Sequence, residues 1–171
     1  MIKIKIVSVV LVLILTNVVL AQDTKNILNQ KLINAIETSN VELVSALTED
    51  GADIEAKGHW EMTPLLLATA RGNIDIVKLL IEKGANIEAK DRMGRTPLHI
   101  SSDWNEIFFL LIEKGANIEA IDKWGKTPLH SAVWSMNTTA IKLILEKGGN
   151  IEAKDDRGLT ALHLASKGRR T

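Results

Sequence analysis

The sequence predicts an all-α repeat solenoid, in which short helix-turn-helix units stack side by side and are joined by β-turn or hairpin fingers. Three observations carry that prediction. Gly51-Ala-Asp-Ile-Glu-Ala-Lys57 returns as Gly84-Ala-Asn-Ile-Glu-Ala-Lys90, Gly115-Ala-Asn-Ile-Glu-Ala-Ile121 and Gly148-Gly-Asn-Ile-Glu-Ala-Lys154, at offsets of 33, 31 and 33 residues. A second motif keeps the same step: Thr63-Pro-Leu-Leu-Leu-Ala68, Thr96-Pro-Leu-His-Ile-Ser101, Thr127-Pro-Leu-His-Ser-Ala132 and Thr160-Ala-Leu-His-Leu-Ala165. Between the motifs, apolar residues fall at helical spacing. A unit this short cannot bury its own apolar face, so the core exists only between neighbours.

The elements follow in chain order. Met1 to Lys5 carries two lysines, Ile6 to Leu15 is apolar apart from Ser8, and Thr16 to Ala21 ends in Val-Leu-Ala before Gln22. This is the positive, apolar and small-residue order of a secretory signal peptide, with cleavage expected after Ala21. The competing reading is an uncleaved membrane anchor, but Ile6 to Ala21 is 16 residues, interrupted by Thr16-Asn17. That is short of the roughly 20 residues that a spanning helix needs. Removing residues 1–21 takes Lys3 and Lys5 from the 21 basic residues and nothing from the 21 acidic ones, leaving a mature chain at net −2.

Residues 24–50 predict two helices, with apolar Leu28, Leu32, Ile33 and Ile36, then Val41, Leu43, Val44 and Leu47. Lys25, Asn29, Lys31, Asn34 and Glu37 are expected to face water, making a polar N-terminal cap. In each later unit Pro64, Pro97 or Pro128 fits a first helical turn, where its missing N–H costs nothing, and the preceding Thr can cap that helix. A second helix is written by Ile74, Ile76, Val77, Leu79, Leu80 and Ile81, and again by Ile141, Leu143, Ile144 and Leu145. Gly84 and Gly148 then supply its left-handed C′ position.

Two irregularities stand out. Thr96 to Gly115 is 19 residues where Thr63 to Gly84 and Thr127 to Gly148 are 21. Counting back from Gly115 places the two-residue deletion around Asp103 to Glu106, in the inter-helix turn. Met136 stands where the second unit has Gly72. Both changes should re-aim the end of a first helix. At the C-terminus, Thr160 to Ser166 supplies a first helix, and Lys167 to Thr171 ends where the second should begin. Lys167, Arg169 and Arg170 are expected to keep that end soluble; the alternative is cover by a partner or another copy.

A period of about 33 with Thr-Pro-Leu-His-x-Ala resembles the ankyrin repeat. The likeness rests on two motifs in fixed phase over residues 51–165 and covers essentially all of the mature chain, at about 4.5 repeats. It divides the chain into a signal peptide (1–21) and an ankyrin domain (22–171), with a capping repeat (22–50), repeats 51–83, 84–114 and 115–147, and a truncated repeat 148–171.

Composition removes most chemistry. The chain has no cysteine, hence no disulfide framework, thiol nucleophile or thiolate metal site. Its balanced charge leaves no bulk attraction for nucleic acid. His99, His130 and His163 recur one per unit, too far apart to share a metal. The resemblance instead implies hydrogen-bonding struts between each Thr and a neighbouring backbone. Glu55, Glu88, Glu119 and Glu152 form a second ladder, equally unsuited to paired-carboxylate catalysis; the family often carries at that position an Asn that can be hydroxylated, and the Glu here removes that inference. No phosphate loop, Ser/His/Asp arrangement or HExxH is present. The expectation is a non-enzyme with no cofactor and no metal.

Recognition is more legible. The resemblance implies a ligand surface on the concave side, at finger tips and first-helix ends. Aligned on this chain's own repeats, those positions hold His59, Trp60 and Met62; Arg92, Met93 and Arg95; Lys123, Trp124 and Lys126; Arg157; and, at the helix ends, Arg71, Trp104 and Trp134. All four tryptophans belong to this set, whereas core positions carry Leu, Ile, Val and Ala. Trp and Arg are the side chains most enriched in binding hot spots. Trp104 has the alternative of tucking into the shortened turn, and Trp134 that of packing on Met136 and the following finger. The cations of the central fingers, partly offset by Asp91 and Asp122, suit a partner with an apolar hollow and an acidic rim. The expected protein is a secreted or periplasmic monomer that binds a protein, not nucleic acid and, once cleaved, not a membrane. The alternative is an extracytoplasmic tether held by the uncleaved N-terminus, or a subunit that self-associates through its last repeat.

Overall fold

The computed structural model describes residues 2–167, with side chains from Val18 onward except those of Val19 and Lys167; Arg169 and Arg170 therefore lie outside the described residues. Its helices are α1 (Ile2–Glu37), α2 (Val41–Glu49), α3 (Pro64–Ala70), α4 (Ile74–Glu82), α5 (Pro97–Ile100), α6 (Asn105–Glu113), α7 (Pro128–Trp134), α8 (Thr138–Glu146) and α9 (Ala161–Lys167). Helix α1 is continuous through the Ala21–Gln22 junction.

The start and stop signals act as local chemistry dictates. Asn40, Asn73 and Asn137 cap α2, α4 and α8, each Oδ1 accepting an N–H three residues on, from Leu43, Ile76 and Ala140. Thr63 Oγ1 accepts the Leu66 N–H at 3.4 Å, the expected cap. At α4 the chain leaves through Gly84 at φ 89°, with the Gly84 N–H on the Ile81 carbonyl and the Ala85 N–H on that of Leu80. That pair is the Schellman motif.

The helices form two rows. Helices α1, α3, α5, α7 and α9 pack in succession as an inner row, and α2, α4, α6 and α8 as an outer one. A continuous core runs between them: Leu32, Ile36 and Val44 of the cap, Leu65, Ile76 and Leu80, then Leu98, Phe108 and Leu111, then Leu129 and Ile144. Each of these large side chains fills space left by a neighbouring repeat, and full burial of one is worth about 1.5–3 kcal/mol.

A second ladder sets the register between repeats. Oε1 of Glu55, Glu88 and Glu119 accepts the N–H of Asn86, Asn117 and Asn150 in the next repeat at 2.7, 2.8 and 2.8 Å. In the cap the same role falls to Asn29, whose Oδ1 accepts the Asp53 N–H at 2.8 Å. This corrects the expectation that Asn29 faces water: it is half-buried, while Lys25, Lys31, Asn34 and Glu37 are exposed.

The shortened repeat shows how two missing residues are absorbed. Elsewhere the inner helix turns back through a left-handed residue, at Ser39 (φ 56°), Gly72 (φ 71°) or Met136 (φ 53°). In the third repeat α5 has four residues, a 3₁₀ turn follows over Ser101–Asp103, and α6 starts directly after Trp104, with no left-handed residue and no side-chain cap. The next repeat repairs the loss. Nδ2 of Asn137 donates to the Ser102 carbonyl and to Asn105 Oδ1, each at 2.7 Å.

Candidate partner-binding groove

The fingers are built around buried carboxylates. Asp91 Oδ1 accepts the N–H groups of Met93 and Arg95; Asp122 does the same for Trp124 and Lys126, and Asp155 for Arg157 and Leu159. All three aspartates are buried. Burial opposes ionisation of Asp155, but the Leu159 N–H and the Arg157 guanidinium outweigh it and hold the carboxyl below the usual range. The first finger lacks this anchor, having Gly58 for the Asp and Glu61 for the Gly. Its turn is rebuilt with two left-handed residues, Trp60 at φ 59° and Glu61 at φ 57°. Such backbone costs non-glycine residues energy, and it concentrates at sites where a side chain is being aimed.

Successive fingers are tied by single backbone bonds, from the Arg92 N–H to the Trp60 carbonyl, Lys123 to Met93, and Asp156 to Trp124, at 2.9, 3.0 and 2.9 Å. Among the described residues there is no strand, so of the two expected forms, β-turn or hairpin, the fingers take that of tight turns. Each turn closes on its own aspartate within five residues, which leaves too little chain for a ladder.

The histidines hold the fingers against the inner helices. His99 Nδ1 accepts the Thr96 N–H at 3.3 Å and lies 2.9 Å from the Thr96 hydroxyl, while Nε2 is 3.0 Å from the Lys126 carbonyl. An amide can only donate, so Nδ1 is the acceptor and Nε2–H donates across to the next finger. His130 repeats this with Thr127 and the Leu159 carbonyl. Thr96 and Thr127 thus form capping boxes with His99 and His130 at the starts of α5 and α7. Burial pushes His99 below the ordinary imidazole value, against the Lys126 carbonyl and the Asp122 charge, which favour the protonated ring.

Between the fingers and the inner-helix ends lies an open groove of about 490 Å³. Met62, Met93 and Trp124 reach it from the fingers, Ile100, Trp104 and Trp134 from the helix ends. Arg95, Lys126, Asp103 and Asp122 supply its charged groups, and Ser102, Ser131 and Ser135 its hydroxyls. Trp104 lies against Gly72 of the preceding repeat, so close that an added Cβ there would sit 2.6 Å from its ring. It does not tuck into the shortened turn; its free face stays in the groove and it is 42% exposed. Trp134 is 78% exposed, held by the Lys126 ammonium 5.9 Å from its ring centre rather than by packing on Met136, itself 80% exposed.

Of the predicted residues, the groove therefore gathers Met62, Met93, Arg95, Trp104, Trp124, Lys126 and Trp134. Arg157 borders an adjoining hollow with Trp124 and Lys126. Trp60 stands outside the groove on the first finger, edge-on to His59 with the Arg92 guanidinium 5.8 Å from its ring centre. Lys123 is exposed outside the groove, and Arg71 is engaged with Glu37 of α1 at 3.2 Å. Ile100, Ser102 and Ser131 were not singled out by sequence. Their signal is positional: Ile100 ends α5, Ser102 lies in the 3₁₀ turn that follows it, and Ser131 is on α7 one turn before Trp134.

A family model described as ankyrin repeats in three copies matches residues 32–122 and 103–171. The chain belongs to the ankyrin repeat family. No curated protein matches it. Ankyrin repeats are in general non-catalytic interaction modules, and the geometry is of that kind: its histidines and glutamates act as struts between repeats. Among the described residues no cluster of His, Asp and Glu is placed to hold a metal ion. Among those with described side chains, no helix is long and apolar enough to cross a membrane.

Proposed function

We propose that this ankyrin chain is an exported, non-catalytic module that binds a folded protein partner through the groove between its fingers and inner-helix ends. The observation that carries this reading is the placement of Trp104, Trp124 and Trp134 on one open groove, each with a large solvent-facing surface, while the core is filled by aliphatic residues and Phe108. Exposed indoles cost solubility, and their clustering beside Arg95 and Lys126 has the composition of a binding hot spot. Export rests on the order of residues 1–21, and a monomer is expected after cleavage. Capture of a partner by crosslinking in the native compartment, compared between wild type and W124A/W134A, tests the proposal. Loss of capture at unchanged melting temperature supports it, and equal capture sinks it.

A second reading, self-association through the last repeat, has its own observation. Leu162 is 70% exposed beside an apolar hollow of about 180 Å³ formed by Leu129, Val133, Ile141, Leu145 and Ile151. Light scattering on wild type and L162E decides: a concentration-dependent dimer that L162E disperses favours this reading, and a monomer in both discards it.

A further inference from the structure

We propose that the partner offers an acidic segment with an apolar anchor, the anchor filling the groove and the carboxylates lying along the finger rim; this rests on the groove being the partner surface. By formal count Asp91, Asp122 and Asp155 offset three of the five cations Arg92, Arg95, Lys123, Lys126 and Arg157. The structure separates the two signs. The three aspartates are buried, and each Oδ1 accepts two backbone N–H groups of its own turn; Oδ2 of Asp91 and Asp155 faces an arginine, and of the three only Asp122 lines the groove. Arg95 and Arg157 are neutralised by Asp91 and Asp155 at 2.7 and 3.0 Å. Arg92 and Lys126 are not: among the described residues neither has a carboxylate within ion-pair distance.

Both of these cations are instead laid on indole faces, Arg92 on Trp60 at 5.8 Å and Lys126 on Trp134 at 5.9 Å. A cation on an aromatic face keeps its charge available while its long side chain is held in place, so less freedom is lost when a counter-charge arrives. Lys123, exposed on the same finger as Lys126, adds a third positive charge. Three exposed acids limit the positive surface to the central fingers: Glu61 on the first finger, paired with Lys57 at 3.5 Å, Asp103 at the groove's helix edge and Asp156 on the last finger. An acidic segment therefore finds cations along the finger side and indoles beneath it, whereas a basic segment meets like charge.

The test is a selection of random peptides of about 12 residues, a length within reach of a single interface, on the immobilised full chain, with W124A/W134A and R92E/K126E as comparison proteins. Both variants alter exposed or half-exposed side chains, and circular-dichroism melts within a few degrees of wild type show that they fold. The expected outcome is enrichment of net-negative peptides carrying at least one aromatic or branched aliphatic residue. Their affinity should fall about tenfold or more in each variant, and likewise as salt rises from about 50 to about 500 mM. Enriched peptides that are neutral or basic, or that bind R92E/K126E as well as wild type while losing W124A/W134A, overturn the acidic preference and leave the groove standing. Enrichment that survives both variants, or none at all, overturns both.

Discussion

Gly72 makes two demands on its replacement that can be measured separately. Its φ is 71°, and an added Cβ would lie 2.6–2.7 Å from three ring atoms of Trp104. Left-handed backbone costs a residue with a Cβ about 1–2 kcal/mol. Carbon atoms in contact sit about 3.5–4.0 Å apart, so the indole must also retreat by about 1 Å. Since Trp104 is 42% exposed, it can lift into the groove rather than strain the core. G72A should therefore lower stability by about 2 kcal/mol, with a drop in melting temperature of about 4–8 °C for a chain of this size. In a W104A background the clash vanishes and only the backbone cost remains, so the same substitution should cost about 1 kcal/mol less there. Thermal and urea unfolding of the four proteins of that cycle supply the numbers. Equal losses in both backgrounds would refute the stacking of Trp104 on Gly72, and no loss in either would refute the left-handed turn.

Further predictions use the same reasoning. M136G, at φ 53° and 80% exposed, should raise stability by about 1 kcal/mol, read as a higher urea midpoint, because it relieves the backbone cost that Gly72 never bears. His99 has a folded pKa depressed by burial, so its neutral form contributes stability present above the unfolded value of about 6.5 and lost as pH falls through the folded one. Urea midpoints from pH 8 to pH 5 should fall for wild type, and fall less for H99L, which copies the Leu66 of the second repeat. E88A should cost about 1 kcal/mol by freeing the Asn117 N–H that Glu88 accepts at 2.8 Å. E152A, whose carboxylate has no such partner among the described residues, should stay within about 0.5 kcal/mol of wild type in the same melts.

The repeat architecture was legible because its determinants are local. Proline at a first turn, glycine at a left-handed helix end and an apolar stripe of period 3.6 each fix backbone from a few residues. Counting back from Gly115 put the deletion around Asp103 to Glu106; the structure narrows it to the turn ahead of Asn105, where α6 begins. What escaped were contacts between repeats. The Glu ladder read as an unexplained regularity, because its acceptors find their N–H partners about 30 residues downstream, in the next repeat. Asn29 read as a solvent residue for the same reason. The aspartates Asp91 and Asp122 counted only as rim charge until the turns showed each Oδ1 bound to its own backbone N–H groups. At the groove, repeat alignment found the tips and helix ends but not Ile100, Ser102 and Ser131, and it grouped with them Arg71, whose guanidinium is held by Glu37.

The groove as partner surface is tested most directly by photo-crosslinking in the producing cell, with a benzophenone side chain placed in turn at Trp134 and at Phe109. Both positions are exposed, the first on the groove and the second on the outer row. An adduct of one defined mass from position 134 and none from position 109 is the result predicted. An adduct from position 109 with none from position 134 would contradict the account.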